Sequence, residues 1–247
     1  MKIRLMAWLL AACMLLACCQ AFAQEELPQR VVYLTFDDGP KKDTPELLAL
    51  LDELDVPATF FFMGMSIKAY PEYAKMVVDA GYPVGCHSMG HTPSYLKENP
   101  GIMATEISRF MKLMREVAGE DFDTDLFRFP GGSSSYPQRV KRDVVREGFS
   151  WFDWNAMTAD THAGMKTQDF YDYAVKTSGD QDVIILLMHE GKSRTRDILP
   201  QLVDYYRQNG YVFRVLATDV QEREILARCG AAMALPQLQD TTEGETL

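Results

Sequence analysis

The chain is poor in histidine and cysteine and has no basic surplus. Of its 247 residues, four are histidine and five are cysteine, and the formal net charge is −10. A polyanionic partner such as nucleic acid needs a basic stripe to meet its phosphates, and none is visible, so nucleic acid is excluded as a partner. The glycine-rich "GGSSS" at 131–135 lacks the lysine and spacing of a phosphate loop and reads as a turn-rich loop. No internal repeat appears, and no linker interrupts the chain after Arg30. Three of the cysteines (Cys13, Cys18 and Cys19) fall in the first 23 residues. That leaves Cys86 and Cys229, which could form one disulfide in an oxidising compartment or remain two buried thiols. An ordinary globular composition, 47% hydrophobic and 24% charged, is enough to bury a sizeable core.

The N-terminus reads as an export signal. Lys2 and Arg4 precede an apolar stretch from Leu5 to Ala17, which is short for a bilayer span. Ala21-Phe22-Ala23 is a small-x-small cleavage site before Gln24. "LLAC" at 15–18 resembles a lipobox, which would instead attach the protein to a membrane through a lipid on Cys18. An uncleaved anchor is the third alternative. All three place the domain outside the cytoplasm, secreted or associated with the cell envelope.

From 30 onward, short apolar runs alternate with amphipathic stretches. Strands are expected at 31–36, 58–63, 82–87, 126–130, 149–154, 182–189 and 211–216. Helices are expected from Thr44 (as N-cap, with Pro45 at the first helical position) and over 71–80, 101–118, 137–147, 170–176 and 195–208. About seven β-α units imply a parallel sheet covered by helices. Their length favours a single-domain, distorted (β/α) barrel of about seven parallel strands over a small open sheet. The expected organisation is a signal peptide at 1–23, a short segment at 24–29, the main domain at 30–216 and an extension at 217–247, whose polar, acidic tail from Gln237 is expected to be disordered.

The scarce histidines cluster with acids. "TFDDGP" at 35–40 supplies Asp37 and Asp38, "HSMGH" at 87–91 places His87 and His91 four apart, and "LMH" ends at His189. Two histidines and one carboxylate make a metal site with open positions for water and substrate. Each piece has a plainer explanation: a turn after a strand, one helical turn of solvated histidines, a histidine at the core edge. Arg128 could be part of an ordinary salt bridge and Asp160 an ordinary loop carboxylate. Together, in order and at the C-terminal ends of expected strands, they point to an active site on one face of a parallel barrel. His162 has no place in this set and reads as a loop histidine.

These motifs resemble those of the polysaccharide deacetylases of carbohydrate esterase family 4. "TFDDGP" resembles the first family motif, "HSMGH" the second, "RFPGG" (128–132) the third and "LMH" (187–189) the fifth. The fourth fits "WNAMTADT" (154–161), with Asp160 as its second aspartate; "DW" at 153–154, with Asp153, is the alternative. The resemblance implies a secreted enzyme that removes N-acetyl groups from an acetylated polysaccharide such as peptidoglycan or a chitin-like glycan. An O-acetyl xylan esterase and an inactive glycan-binding module are the alternatives.

The resemblance also implies roles. Asp38, His87 and His91 would hold a divalent metal, zinc by default, with cobalt or nickel as alternatives. Asp37 would be the base, His189 the acid, Arg128 the partner that keeps Asp37 ionised, and Asp160 the residue that orients His189. Pro130, the Gly131 N–H and Leu187 would contact substrate. Four positions depart from the family pattern: Gly131 where an aromatic residue is frequent, Met157 in place of the first fourth-motif aspartate, Thr161 in place of its tryptophan, and Cys86 where a polar residue is common before the first metal histidine. They bear on the substrate more than on the reaction.

Overall fold

The computed structural model describes residues 27–234. The export signal, the lipobox alternative and the tail from Gln237 lie outside the described residues. Among the described residues, no helix is long and apolar enough to cross a membrane.

The described strands are β1 (Val31–Gly39), β2 (Thr59–Phe62), β3 (Val84–Cys86), β4 (Leu126–Phe127), β5 (Ser150–Phe152), β6 (Ala156–Met157), β7 (Val183–His189), β8 (Val212–Arg214) and β9 (Met233–Ala234). They pair in the order β6-β7-β1-β2-β3-β4-β5-β9, with β8 beside the first half of β1. All pairs are parallel except β5 with β9. Strands β5 and β6 lie near opposite ends of this order, yet only residues 153–155 join them. Four Cα steps span at most about 15 Å, so the sheet must curl until its ends approach. Asn155 stitches the join: its backbone N–H donates to Ile185 O (3.3 Å) and its Oδ1 accepts from Ile185 N (2.7 Å). The result is the expected distorted (β/α) barrel, a single domain.

Strand alternation sorts the core into two. Val32, Leu34 and Phe36 of β1 face the helices, with Phe60, Phe62, Ile184, Leu186 and Met188 from the neighbouring strands. Val31 and Tyr33 point the other way, into the barrel, with Phe61, Phe152, Val183 and Ile185. Continuing that inward row, Thr35 and Asp37 come next toward the C-terminal end.

The described helices are α1 (Thr44–Glu53), α2 (Gly64–Ala69), α3 (Pro71–Asp79), α4 (Pro93–Glu98), α5 (Ile102–Ala118), α6 (Gln138–Arg146), α7 (Thr167–Ser178), α8 (Ser193–Gln208) and α9 (Val220–Leu226). Two readings of the sequence need correction here. Thr44 is not the N-cap of α1. Asp43 holds that position without a side-chain bond, and the Thr44 hydroxyl is used elsewhere. The stretch after 216 is partly built into the fold. Ile225 and Leu226 join Leu216 at the bottom of the barrel, and β9 adds a strand to β5. Cys86 and Cys229 are both free thiols, the first buried in β3 and the second packed at the barrel bottom.

Candidate metal and catalytic site

Every motif residue named from the sequence lies at the C-terminal end of the strands. Asp37 and Asp38 sit in β1 at a register shift against β2. His87 directly follows β3, Arg128 follows β4, Asp160 lies beyond β6, and His189 ends β7. This clustering follows from parallel topology, in which all strand C-termini share one face.

The His-x-x-x-His segment is not a helical turn. Ser88 and His91 both have positive φ (66° and 47°), and the loop is pinned from outside. At the start of α2, the Gly64 and Met65 N–H groups donate to Ser88 O (3.0 Å) and Met89 O (2.9 Å). Glu106, buried on α5, accepts from Met89 N (2.7 Å), and Ser88 Oγ accepts from His91 N (3.0 Å). So held, His87 and His91 bring their rings to a centroid separation of 5.0 Å.

Asp38, also at positive φ (71°), points its Oδ1 between them. That oxygen lies 3.7 Å from His87 Nε2 and 3.7 Å from His91 Nε2. It is buried and has no hydrogen-bond partner, a costly arrangement for a carboxylate oxygen. His87 Nδ1 lies 2.9 Å from Arg128 O. A carbonyl can only accept, so Nδ1 carries the proton and Nε2 presents its lone pair to Asp38. Burial lowers the His87 pKa and outweighs the opposing charges of Asp37 and Asp38, which keeps the ring in its ligand form. Candidate donor atoms of Asp38, His87 and His91 all lie within 4.8 Å of one another. This donor set fits a divalent cation with open positions.

Asp37 has a different setting. Its Oδ1 accepts from Arg128 Nη1 (2.9 Å), and its Oδ2 lies 3.6 Å from His87 Nε2. Arg128 is fully buried and satisfied on several sides: by Thr35 Oγ1 (2.7 Å), Phe152 O (3.1 Å) and Asp153 O (3.4 Å), with its guanidinium 4.2 Å above the Phe61 ring. A buried guanidinium so clamped fixes the carboxylate it touches.

His189 pairs in register with Asp37 on the neighbouring strand. Its Nδ1 lies 2.7 Å from Asp160 Oδ1, and its backbone N–H donates to Asp160 Oδ2 (2.9 Å), which also accepts from Thr195 Oγ1 (2.8 Å). Burial pulls the His189 pKa down, but the Asp160 hydrogen bond and the charges of Asp160, Asp37 and Asp38 outweigh it, so the net shift is upward. Asp160, not Asp153, is therefore the aspartate that meets His189. Asp153 instead accepts from Ser133 N (2.8 Å) and Oγ (2.7 Å), and so holds the 131–135 loop.

Pro130 and Leu187 are buried at the rim, while Gly131 is exposed at a turn tip with φ +73°. A Cβ there would meet nothing within 4 Å, so the turn tip itself is open. Thr161 is exposed, and His162 stays in the loop near Ala159 O (3.3 Å). Sequence reasoning gave no role to Thr35, which lies inside the first motif and accepts from Arg128, and it missed Ser66, Glu106 and Glu190, which touch the motif segments from outside. Ser66 Oγ donates to Asp38 O (2.9 Å). Glu190 is buried beneath the β1–α1 turn, where burial pushes its carboxyl up to about 8 against the pull of Thr44 and Lys41.

A curled parallel sheet with an Asp-His-His cluster, an Asp–Arg pair and an Asp–His pair on its C-terminal rim defines a hydrolase site of the barrel type. Comparison with known proteins specifies the family: residues 24–150 match the polysaccharide deacetylase family model, and the chain belongs to that family. A peptidoglycan-N-acetylglucosamine deacetylase of Bacillus cereus is 33% identical over 195 residues, covering 75% of this chain and 68% of that protein. A bifunctional xylanase/deacetylase of Pseudobutyrivibrio xylanivorans is 27% identical over 188 residues, covering 75% of this chain and 29% of that protein. Among solved structures, a CE4 esterase of Streptococcus mutans superposes with a TM-score of 0.71 at 29% identity, covering 76% of this chain and 87% of that one.

Proposed function

We propose that this chain is an extracytoplasmic, metal-dependent amide hydrolase that removes N-acetyl groups from N-acetylhexosamine units of a cell-wall glycan and releases acetate. The observation that carries the reading is the unpartnered, buried Asp38 Oδ1 between the Nε2 atoms of His87 and His91. Asp38, His87 and His91 would hold the cation, zinc before cobalt or nickel, which when bound supplies Lewis-acid activation of a water and of the acetyl carbonyl. Asp37, with one oxygen fixed by Arg128, offers the other to take the attacking water's proton. His189, held at Nδ1 by Asp160, keeps Nε2 for donating a proton to the leaving amine. The Gly131 N–H would donate to the developing oxyanion, Pro130 would shape that turn, and Leu187 would lie against the acetyl methyl.

Peptidoglycan is the favoured polymer, supported by the Bacillus cereus relative. The export signal read at 1–23 supports an extracytoplasmic site of action; mature protein should begin at Gln24 or carry lipid on Cys18. A second reading, an O-acetyl esterase on xylan, draws on the xylanase/deacetylase relative and the open turn tip at Gly131. The test is acetate release by zinc-loaded protein from peptidoglycan, chitooligomers and acetylxylan. The highest rate on an N-acetylated polymer supports the proposal, and the highest on acetylxylan supports the esterase. Glycan binding with no acetate would make the chain a binding module.

A further inference from the structure

Next to His189 lies a buried carboxyl with no role in this chemistry. Glu190 is 4% exposed, and its side chain runs beneath the Asp37-Asp38-Gly39-Pro40 turn. A methyl group placed on Gly39 would come within 1.7 Å of Glu190 Oε1 and 2.8 Å of the Phe62 ring. The carboxyl therefore occupies the space that this glycine leaves open. Its Oε2 accepts from the Thr44 hydroxyl, while that hydroxyl oxygen accepts from Lys41 N (2.8 Å). The Glu190 N–H donates to Asp37 O (3.0 Å). One residue thus grips the turn at Asp37, Gly39, Lys41 and Thr44. On the far side, Ser66 Oγ holds Asp38 O.

We infer that Glu190 is a positioning residue, which sets the Asp37–Asp38 turn so that Asp38 Oδ1 meets the two histidines and Asp37 meets Arg128. This rests on the reading of Asp38, His87 and His91 as metal ligands. Leucine or methionine would fill the same volume without desolvating a carboxyl, so bulk alone does not account for this residue. What the carboxyl adds is a directional hold on the Thr44 hydroxyl and, through it, on the Lys41 amide. The loop it holds is unusual, with Asp38 at positive φ (71°). A non-glycine residue in that region persists only where its surroundings enforce it. Glu190 also follows His189 directly, so the strand that presents the proposed acid braces the loop that presents the proposed base.

The test measures zinc affinity by calorimetry together with kcat and KM for acetate release, in the full chain and in Glu190→Ala, Glu190→Gln and Thr44→Val. Loss of a residue that orients metal ligands costs about 10–100-fold in metal affinity or activity. Glu190→Ala should fall in that range for both zinc affinity and kcat, with KM near the parent value. Glu190→Gln keeps the shape and an acceptor for Thr44, and should restore most of the loss. Thr44→Val removes one hydroxyl with little change of shape and should weaken zinc several-fold, which carries the test if Glu190→Ala does not fold. Parent-like zinc affinity in Glu190→Ala or Thr44→Val, or a Glu190→Gln no better than alanine, would overturn the assignment. A parent that binds no zinc would overturn the metal-site reading and this assignment with it.

Discussion

Two buried ionic networks share the inward face of β1, four residues apart, and they differ in what they leave unsatisfied. At the bottom, Tyr33 donates to Glu222, and Arg214 Nε and Nη2 reach the same carboxylate at 2.9 and 2.7 Å. Glu222 also receives a cap from its own helix start, where its N–H donates to Asp219 Oδ1 (3.0 Å). Burial, the Glu222 hydrogen bond and the Glu222 charge push the Tyr33 pKa far up, so the phenol stays a neutral donor. At the top, Arg128 saturates one oxygen of Asp37, but Asp38 Oδ1 has no partner and two histidines stop 3.7 Å short of it. The bottom network closes upon itself and locks the C-terminal segment into the barrel. The top one is complete only with something added. Buried polar groups are normally paired, and among the unpaired buried atoms of the described residues Asp38 Oδ1 is the one that faces two histidine nitrogens in a group able to hold a cation.

The sharpest way to break this contrast is to remove a metal donor. Asp38→Ala, His87→Ala or His91→Ala should each abolish tight zinc binding and lower acetate release by on the order of 10³-fold or more, since Lewis-acid help is worth several kcal/mol. Three variants that all bind zinc like the parent would erase the difference between top and bottom. Next in size is His189→Ala, which should keep zinc and lower kcat by about 10²–10⁴-fold.

The bottom network should respond in the opposite currency. Glu222→Ala leaves Tyr33 and Arg214 without their acceptor and should cost about 1–3 kcal/mol of stability, the range for a buried polar group left unsatisfied. Acetate release per folded molecule should stay at the parent value; a large fall in kcat there would mean the two networks are coupled.

The smallest expected effect concerns the His189–Asp160 pair. His189 is raised from its ordinary 6.5, so its acid form persists to higher pH, and Asp160→Asn should move the basic limb of the pH–rate profile to lower pH by about one unit. The sign for stability follows from both shifts. The raised His189 contributes fully below 6.5 and loses its contribution as pH rises through its folded value. The lowered Asp160 contributes above 3.8 and loses its contribution as pH falls through its folded value. The melting difference between parent and Asp160→Asn should therefore be widest between those two pH values. An unmoved basic limb would remove His189 as the acid.

The top of the barrel was far more legible in the sequence than its supports. Asp37, Asp38, His87, His91, Arg128 and His189 stood out because parallel strands end in conspicuous polar residues after apolar runs. Helices α2 and α4, of six residues each, are too short to show a 3.6-residue period. Glu106 and Glu190 carried no signal in the sequence, because single-residue burial leaves no pattern. Thr44 carried an N-cap signal, yet tertiary contact with Glu190 claimed its hydroxyl. The segment after 216 read as an extension because α9 and β9 are short, and only the hollow of the barrel gives Ile225 and Leu226 a place to go. The choice between Asp160 and Asp153 needed geometry, since one follows β6 and the other β5, and only Asp160 reaches His189.

The claim that metal holding and proton transfer are divided between adjacent aspartates is tested most directly by Asp37→Asn. The substitution keeps the shape of the side chain and leaves Asp38, His87 and His91 intact. Zinc affinity by calorimetry and acetate release should be measured on the same preparation. The expected result is parent-like zinc binding, acetate release lower by about 10²–10⁴-fold and loss of the acidic limb of the pH–rate profile. Parent-like acetate release would contradict the base assignment, and loss of zinc would show that Asp37, not Asp38, holds the metal.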